Sequence, residues 1–299
     1  MLHDVSIIGG GPGGLSAALA LGRARKRVVL VDGGPRRNAL AVHIQNFVTR
    51  DGTPPDDFRR IAREQLAAYP TVTILDGRVA AIAGSRGAFR ATLGVETFTA
   101  RRILLATGMI DEMLPIEGFR ELWGHSIFQC PYCHGYEVRD QRWAFLAHPT
   151  TATHLVPFAL MIRGWTSSVT VFTNAAIEIP AATRAQLETA GIRVETAPIA
   201  RLVAEGTRLT GIALAGGIIV PADALFTQPP QQQTELVRSL DLALDDGYVR
   251  VDPMKRETST PGIYASGDLT TRGQAAILAA ASGMQAAAAI NVDLAMDVG

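Results

Sequence analysis

Two cysteines, Cys130 and Cys133, have the most evident chemistry in this chain of 299 residues, which contains no other cysteine. They stand in the segment Cys130-Pro131-Tyr132-Cys133-His134. A Cys-x-x-Cys spacing allows a small disulfide ring and lowers the pKa of a thiol, so it favours a redox-active dithiol. Proteins of a reducing compartment seldom use disulfides as structural staples. The spacing therefore predicts a centre that exchanges electrons with other thiols.

Other interpretations of this segment stay open at this point. A zinc site needs four ligands, and the adjacent Cys133 and His134 would have difficulty sharing one ion, so we expect no metal site. Cys-x-x-Cys-His is also the attachment motif of c-type haem. That attachment normally requires export, and the N-terminus lacks the basic start and long apolar run of a signal peptide. The cysteines could also be a buried structural pair.

A glycine-rich segment near the N-terminus predicts a dinucleotide site: Gly9-Gly10-Gly11-Pro12-Gly13-Gly14. It has the G-x-G-x-x-G spacing and lies between a predicted strand and a predicted helix. The first glycine of the spacing permits a tight turn, the second a close approach to a pyrophosphate, and the third close packing of helix on strand. Asp32 ends the next predicted strand, where an acid can bond a ribose hydroxyl. The motif by itself fits NAD and FAD equally.

Three further segments resemble flavin-binding elements of flavoproteins that have two dinucleotide-binding domains. Gly262 to Asp268, followed by Gln274-Ala275-Ala276 at the start of an alanine-rich helix, is similar to their second flavin element. Leu104 to Gly108 is similar to their crossover motif, and His43 to Phe47 to a flavin-contacting loop. With a Cys-x-x-Cys early in an inserted domain, the chain resembles the low-molecular-weight thioredoxin reductases over nearly its whole length.

The resemblance implies an oxidoreductase with FAD as its cofactor. It implies that Asp268 bonds the ribityl chain and that the alanine-rich helix directs its N-terminus at the flavin pyrimidine, where it stabilises negative charge. It also implies that Cys133 faces the flavin, whereas Cys130 exchanges with the external thiol or disulfide. The flavin-site residues implied in this way are Asn46, Thr107, Gly108, Gly267, Asp268, Gln274 and Ala275.

The order of predicted elements favours an α/β protein with two nucleotide-binding (Rossmann-like) three-layer domains, the second inserted into the first. A second strand–helix–strand pattern occupies Trp143 to Leu146, Thr151 to Arg163 and Val169 to Phe172, and Pro221 to Thr227 predicts a further strand. We expect an FAD-binding domain at residues 1–112 and 245–299. The inserted domain, which resembles an NADPH domain and carries the cysteines, is expected at residues 113–244.

The inserted domain departs from the thioredoxin reductase pattern at its nicotinamide site. Where those reductases have a glycine-rich turn for the NADPH pyrophosphate, this chain has Ala147-His148-Pro149. Proline lacks a donor N–H, and the side chains of His148 and Pro149 would obstruct a phosphate. Where those reductases carry arginines for the 2′-phosphate, this chain has Thr173-Asn174-Ala175-Ala176. We therefore expect a degenerate nicotinamide site.

The residue after the second cysteine also differs, because His134 stands where thioredoxin reductases have an aspartate that exchanges protons with the thiols. Histidine, with a pKa near neutral, can do this work. A solvent-facing His134 without a role is the alternative. Cys-x-x-Cys-His in this scaffold resembles the FAD-dependent dithiol oxidases, which close disulfides in natural products and pass the electrons from the flavin to oxygen.

We therefore favour an FAD-dependent thiol-disulfide oxidoreductase that oxidises a small-molecule dithiol, with molecular oxygen as acceptor and Cys130, Cys133 and His134 as catalytic residues. One alternative is a disulfide reductase that serves a thioredoxin-like protein and takes electrons from ferredoxin, another flavoprotein or weakly bound NADPH. Another is a flavin redox sensor without turnover.

Composition restricts the other partners. The chain has 28 basic and 28 acidic residues, so its zero net charge gives no reason to expect nucleic acid or an acidic membrane surface. The apolar stretch from Ala275 to Met296 is interrupted by polar residues and predicts a packed helix rather than a membrane span. We expect a cytoplasmic protein and, from the resemblance alone, a homodimer.

Overall fold

The computed structural model of the protein describes residues 2–34 and 36–297, with the backbone alone at Thr151. The chain divides into two compact units, Met1–Ile110 with Gln231–Gly299, and Asp111–Pro230. The insertion therefore ends at Pro230 and not at the expected residue 244. The reason is packing: Leu236, Val237 and Leu242 are buried in a core of the first unit.

The elements are as follows. The helices are α1 (Pro12–Arg23), α2 (Pro55–Leu66), α3 (Phe119–Leu122), α4 (Pro131–His134), α5 (Leu155–Ile162), α6 (Ala181–Thr189), α7 (Glu235–Arg238) and α8 (Ala276–Met296), with 3-10 turns at Pro149–His154 and Asp268–Thr270. The strands of the first half are β1 (Leu2–Ile8), β2 (Val28–Asp32), β3 (Val72–Asp76), β4 (Val79–Ala83), β5 (Phe89–Leu93), β6 (Glu96–Leu105), β7 (Ile110–Asp111), β8 (Ile127–Phe128) and β9 (Trp143–Leu146). Those that follow are β10 (Val169–Phe172), β11 (Arg193–Glu195), β12 (Ile199–Glu205), β13 (Arg208–Leu214), β14 (Ile219–Pro221), β15 (Ala224–Thr227), β16 (Gln231–Gln232), β17 (Leu244–Asp245), β18 (Tyr248–Val249) and β19 (Ile263–Ala265).

The first unit is built on a sheet in the order β3-β2-β1-β6-β5-β4, with β19 also paired to β6. Strands β3, β2, β1, β6 and β19 pair in parallel, and the hairpin of β4 and β5 adds antiparallel strands. Along the fully buried β2, Val28 and Leu30 belong to one core, with residues of α1 and α8, while Val29 and Val31 belong to a second core. Burial on both faces explains why this strand is an unbroken apolar run.

The second unit contains a parallel sheet in the order β11-β10-β9-β15-β8. Trp143 and Phe145 of β9 pack with α5 in one core, and Ala144 and Leu146 pack with strands β12 and β13 in another. The antiparallel sheet β12-β13-β14 thus takes the place of a helical layer. The strand expected from Pro221 to Thr227 is in fact two, because Pro221 ends β14 and β15 begins at Ala224.

The alanine-rich helix α8 has the length and composition of a membrane span, but in the structure it packs along α1. Its Gly283 contacts Gly13 of α1 so closely that a Cβ at Gly283 would overlap the Gly13 carbonyl oxygen. Small residues at such a seam allow two helix backbones to approach. The structure agrees with the expectation of a packed helix.

Candidate active site

The glycine-rich loop between β1 and α1 has the shape that a pyrophosphate site requires. Gly9 has a φ of +120°, where a side chain is strained, and a Cβ at Gly14 would overlap the carbonyl oxygen of Gly9. At Gly11 nothing lies within 4 Å of an added Cβ, so the backbone here borders open space. Helix α1 begins at Pro12 without a side-chain cap, which leaves its first N–H groups to a ligand or water.

Asp32 lies beside this loop, with its side chain almost entirely buried at the end of β2. Its Oδ1 accepts the N–H of Gly34 at 3.1 Å, and its Oδ2 accepts Arg59 Nε at 2.6 Å. A Cβ at Gly10 would overlap the Asp32 carboxylate, so glycine is needed at that position as well. The sequence singled out Asp32 but not Arg59, which belongs to α2. The arginine compensates the buried charge and fixes the carboxylate.

Two further predicted flavin residues lie after β6. Thr107 Oγ1 is buried and has no hydrogen-bond partner among the residues that the structure describes. Gly108 has a φ of +68° and open space where a Cβ would be. Buried hydroxyl groups are normally satisfied, so an orphaned one beside open backbone fits a bound ligand. Asn46 also has a positive φ, of 60°, and its backbone N–H donates to Asp51 Oδ1 at 2.7 Å.

Asp268 and Gln274 meet through a residue that sequence reasoning missed. Arg37 Nη1 donates to Asp268 Oδ2 at 3.1 Å and also to Gln274 Oε1. Gln274 and Gln231 exchange two side-chain hydrogen bonds, at 2.8 and 3.0 Å. No local spacing could reveal Arg37, because 231 positions separate it from Asp268. What the sequence does show is a pair of arginines, Arg36 and Arg37, in the loop that follows the strand ending at Asp32.

The surroundings of Asp268 complete a site that fits FAD. Gly267 has a φ of +83°, a conformation that favours glycine, and its N–H donates to Ser282 Oγ at 2.9 Å. Ala275 precedes α8 in an extended conformation without a side-chain cap. A cavity of about 260 Å³ adjoins Gly267 and Asp268. The open glycine loop, the buried acid and the uncapped start of α8 are the features that the flavin resemblance requires.

In the second unit, Cys133 lies on the short helix α4, and Cys130 stands between β8 and that helix. Cys130 caps this short helix, and its Sγ accepts the N–H of Cys133 at 3.1 Å. The two sulfur atoms form a disulfide. A backbone donor at Cys130 Sγ stabilises negative charge there once the disulfide is reduced. Within residues 2–34 and 36–297, no cluster of three or more His, Cys, Asp or Glu side chains could hold a metal ion.

His134 is packed and is not solvent-facing. Its ring stacks on Phe128, with the ring centroids 4.5 Å apart and the planes inclined by 14°. Both ring nitrogens are buried, and neither has a hydrogen-bond partner in the described part of the chain. Burial lowers the pKa of His134 below its ordinary value, and the charge of Glu137 and the Cys130 backbone only partly oppose this. The imidazole is therefore neutral at pH 7 and able to accept a proton.

Two tryptophan side chains pack against the end of α4. A Cβ at Gly135 would lie 2.9 Å from Trp143 Cη2 and 3.0 Å from Trp165 Cδ1. The ring of Tyr132, between the cysteines, meets Trp165 edge-on at 5.3 Å. The glycine thus lets the segment that carries the disulfide lie directly on aromatic side chains of the unit.

The turn after β9 differs from a pyrophosphate-binding turn. His148 caps the 3-10 turn that follows, and its Nδ1 accepts the N–H of Thr150 at 3.3 Å and contacts Thr150 Oγ1 at 2.9 Å. Pro149, the first residue of that turn, has no N–H to donate. Burial lowers the pKa of His148, against the opposing charge of Glu112. A neutral side chain thus occupies donors that a phosphate would use.

The segment after β10 likewise has other partners. Asn174 and Ala175 both have positive φ, 50° and 53°, and Asn174 Oδ1 accepts the N–H of Ile199 at 2.6 Å. Arg184, the first arginine after this strand, donates to the carbonyl oxygen of Val194 at 3.3 Å. These contacts hold the segment to its own unit.

Comparison with known proteins identifies the family. Residues 3–154 and 158–289 match the family described as pyridine nucleotide-disulphide oxidoreductase. Thioredoxin reductase aclD of Aspergillus oryzae is 32% identical over 318 residues, which cover 99% of this chain and 98% of that protein. Thioredoxin reductase tcpT of Claviceps purpurea is 33% identical over 280 residues, 89% of this chain and 86% of its own. The crystal structure of an oxidoreductase from Agrobacterium tumefaciens has a TM-score of 0.93 at 38% identity, covering 99% of this chain and 100% of its own.

These similarities span the chain and agree with the geometry of both units. They confirm the thioredoxin reductase-like fold of two Rossmann-like domains and FAD as the cofactor. The chain belongs to the pyridine nucleotide-disulphide oxidoreductase family and is an FAD-binding, thioredoxin reductase-like oxidoreductase.

Proposed function

We propose that this enzyme oxidises a small-molecule dithiol to a disulfide, with the Cys130–Cys133 disulfide as first electron acceptor and molecular oxygen as the last. The observation that carries the proposal is the turn after β9, where His148 caps its own segment and Pro149 removes a donor. An NADPH-dependent reductase must bind the pyrophosphate of its donor, and the contacts of this turn disfavour such binding. Thiols are therefore the electron source in this proposal.

The chemistry begins at Cys130. A substrate thiolate attacks Cys130 Sγ, the Cys130–Cys133 bond breaks, and Cys133 leaves as a thiolate. The second substrate thiol loses its proton and attacks the substrate sulfur of the mixed disulfide. This releases Cys130 as a thiolate and the substrate as a disulfide. Two electrons have then moved from the substrate to the cysteine pair, and two protons have been released.

His134 and the backbone around it support these steps. The neutral imidazole accepts a thiol proton, and the N–H of Cys133 stabilises the Cys130 thiolate. FAD, when bound, would supply a two-electron acceptor for the reduced cysteine pair, from which oxygen could be reduced to hydrogen peroxide. By resemblance, Cys133 is the cysteine that faces the flavin. The residues that would hold the FAD are those of the glycine loop together with Asp32, Asp268 and the start of α8.

The decisive experiment is an anaerobic titration of the purified yellow protein with dithiothreitol and, separately, with NADPH. We expect two equivalents of dithiothreitol, which supply the four electrons that the disulfide and FAD together accept, to bleach the flavin, and NADPH to leave it oxidised. Oxygen uptake with dithiothreitol should then exceed that of the Cys130→Ser variant. Faster bleaching by NADPH than by the dithiol, or uptake no greater than that of Cys130→Ser, would refute the oxidase.

The second candidate is a disulfide reductase for a thioredoxin-like protein, and the names of the curated relatives favour it. It predicts that NADPH, reduced ferredoxin or another flavoprotein reduces the flavin and that thioredoxin is reduced in turn. A non-turnover redox sensor predicts a flavin spectrum that responds to dithiols without steady consumption of them. From the resemblance, we also propose that the protein is cytoplasmic and forms a homodimer.

A further inference from the structure

In the first unit, the side chain of Arg37 lies between two predicted flavin-site residues, Asp268 and Gln274. Arg37 lies in a turn of the loop between β2 and α2, and its side chain is only 22% exposed. Its Nη1 donates to Asp268 Oδ2 at 3.1 Å and to Gln274 Oε1. Asp268 opens the 3-10 turn that the resemblance places at the ribityl chain, and Gln274 precedes α8. The guanidinium therefore joins the loop to both flavin elements.

The partners of Arg37 are themselves fixed. Gln274 Nε2 donates to Gln231 Oε1 at 2.8 Å and to the Asp268 carbonyl oxygen at 3.3 Å. Tyr248 Oη donates to the same Gln231 oxygen at 3.0 Å. These bonds orient the Gln274 amide so that its oxygen is turned to Arg37. The position of the positive charge is thus determined by a network and not by one flexible side chain.

We propose that Arg37 is a positioning cation of the FAD site, where it holds Asp268 for the ribityl chain and stabilises the negative charge of the reduced flavin. Arginine stays protonated at all relevant pH values, and a partly desolvated charge acts more strongly than a fully hydrated one. Without Arg37, the Asp268 carboxylate would lose the cation that pairs with it at 3.1 Å, and a nearby negative charge disfavours a reduced, anionic flavin. The start of α8 adds its partial positive charge to the same region.

This inference goes beyond the proposed function, since it concerns the cofactor and holds for either direction of electron flow. The alternative is a purely structural role, in which Arg37 only holds a surface loop against the unit. The structural and the electrostatic role differ in their effect on the redox equilibrium of the flavin. A residue that only holds the loop affects the affinity for FAD, whereas a charge beside the flavin also changes its reduction potential. The test therefore measures both quantities on the full-length protein.

The variants are Arg37→Gln and Arg37→Lys, with Arg60→Gln as the control for net charge. Arg60 is an exposed residue of α2, and it pairs with Asp57 and Glu64 of the same helix, outside the network. FAD affinity is measured by quenching of flavin fluorescence when FAD is added to apoprotein. The reduction of bound FAD is followed spectrally against a reference dye. Neither measurement needs a thiol substrate, so the outcome is separable from the test of the oxidase.

For Arg37→Gln we expect the Kd for FAD to rise at least tenfold and the ratio of reduced to oxidised flavin at fixed potential to fall about tenfold. For two electrons, that ratio corresponds to about 30 mV. Arg37→Lys should keep the reduction equilibrium close to wild type while binding FAD more weakly, because lysine keeps the charge but loses the planar fork. Arg60→Gln should change neither quantity.

Three results would overturn the proposal. The first is wild-type affinity and reduction in Arg37→Gln. The second is an Arg60→Gln variant that shifts both quantities as much, since the effect would then be one of net charge alone. The third is a raised Kd for FAD with an unchanged reduction equilibrium, which is the result expected if Arg37 has a purely structural role.

Discussion

The protonation state of His134 depends on the surroundings of its ring. Stacking on Phe128 holds the imidazole in a buried position without a hydrogen bond to either ring nitrogen in the described chain. Burial disfavours the charged form, so the pKa of His134 falls below its ordinary value. A base that is neutral at pH 7 and lies one residue from Cys133 is suited to accept a proton from a reacting thiol. Its protonated form would be attracted by Glu137, which eases the transfer.

Replacing this base should change the pH dependence of thiol chemistry. For His134→Asn we expect the rate of flavin reduction by dithiothreitol at pH 7 to fall about a hundredfold, within the range of general-base catalysis. Because the wild-type imidazole becomes protonated as the pH falls through its lowered pKa, the advantage over the variant should shrink below pH 6.5. Anaerobic stopped-flow measurements across pH give both rates. The exposed His125→Asn serves as control, and a wild-type to variant ratio independent of pH would contradict the base role.

The glycine after His134 should tolerate no side chain. In Gly135→Ala the new methyl group would press on Trp143, Trp165 and the Pro131 carbonyl oxygen, and such overpacking costs about 1–3 kcal/mol. We expect a lower urea midpoint and slower reaction of the disulfide with dithiothreitol. Gly216→Ala is the control, because nothing lies within 4 Å of an added Cβ there. Equal midpoints for the two variants would show that α4 can move away from the tryptophans.

At the scale of elements, the seam between α1 and α8 connects the glycine loop to the second flavin element. In Gly283→Ala the higher helix propensity of alanine should add up to about 1 kcal/mol, yet the methyl group would overlap the Gly13 carbonyl oxygen. We expect overlap to prevail, with lower stability and weaker FAD binding. Ala288→Gly on the exposed face of α8 should lose about 1 kcal/mol by propensity and leave FAD affinity intact. Thermal unfolding and FAD titration of both variants test this, and a Gly283→Ala variant with wild-type FAD affinity would contradict it.

The elements that the sequence predicted best are those whose residues are buried on both sides. Strands β9 and β10 have the predicted bounds, because each is a short apolar run with no competing pattern. Helix α5 begins later than predicted, at Leu155, since His148 and Pro149 start a 3-10 turn instead. The antiparallel sheet of β12, β13 and β14 was not anticipated.

The candidate site divides in the same way. The glycine loop, Asp32 and the cysteine pair were predicted from local spacing, and their roles stay predictions. Arg37 and Arg59 do not follow, because their partners are distant in sequence or lie on another element. Burial of His134 could not be predicted either, since its stacking on Phe128 is a contact of the folded chain. Local pattern thus nominates candidate residues, whereas their burial and their charged partners depend on tertiary packing.

At the scale of the whole molecule, each unit has cores of its own. The two clusters of the second unit include no residue from outside Asp111–Pro230, and those of the first unit include none from within it. The ends of the second unit meet, since the N–H of Glu112 donates to the Pro230 carbonyl oxygen at 2.8 Å. An inserted unit with adjacent ends and a separate core has what it needs to fold alone.

We therefore expect residues 111–230, produced as a separate chain, to fold with a cooperative thermal transition and to form the Cys130–Cys133 disulfide. This fragment should bind no FAD, because Asp32, the glycine loop and Asp268 all belong to the first unit. Residues 1–110 joined to 231–299 by a short glycine–serine linker should in contrast bind FAD and fail to react with dithiothreitol. Calorimetry, thiol counting and flavin absorbance check these outcomes. If the fragment unfolds without a transition while the linked first unit still binds FAD, the second unit depends on contacts that its own cores do not provide.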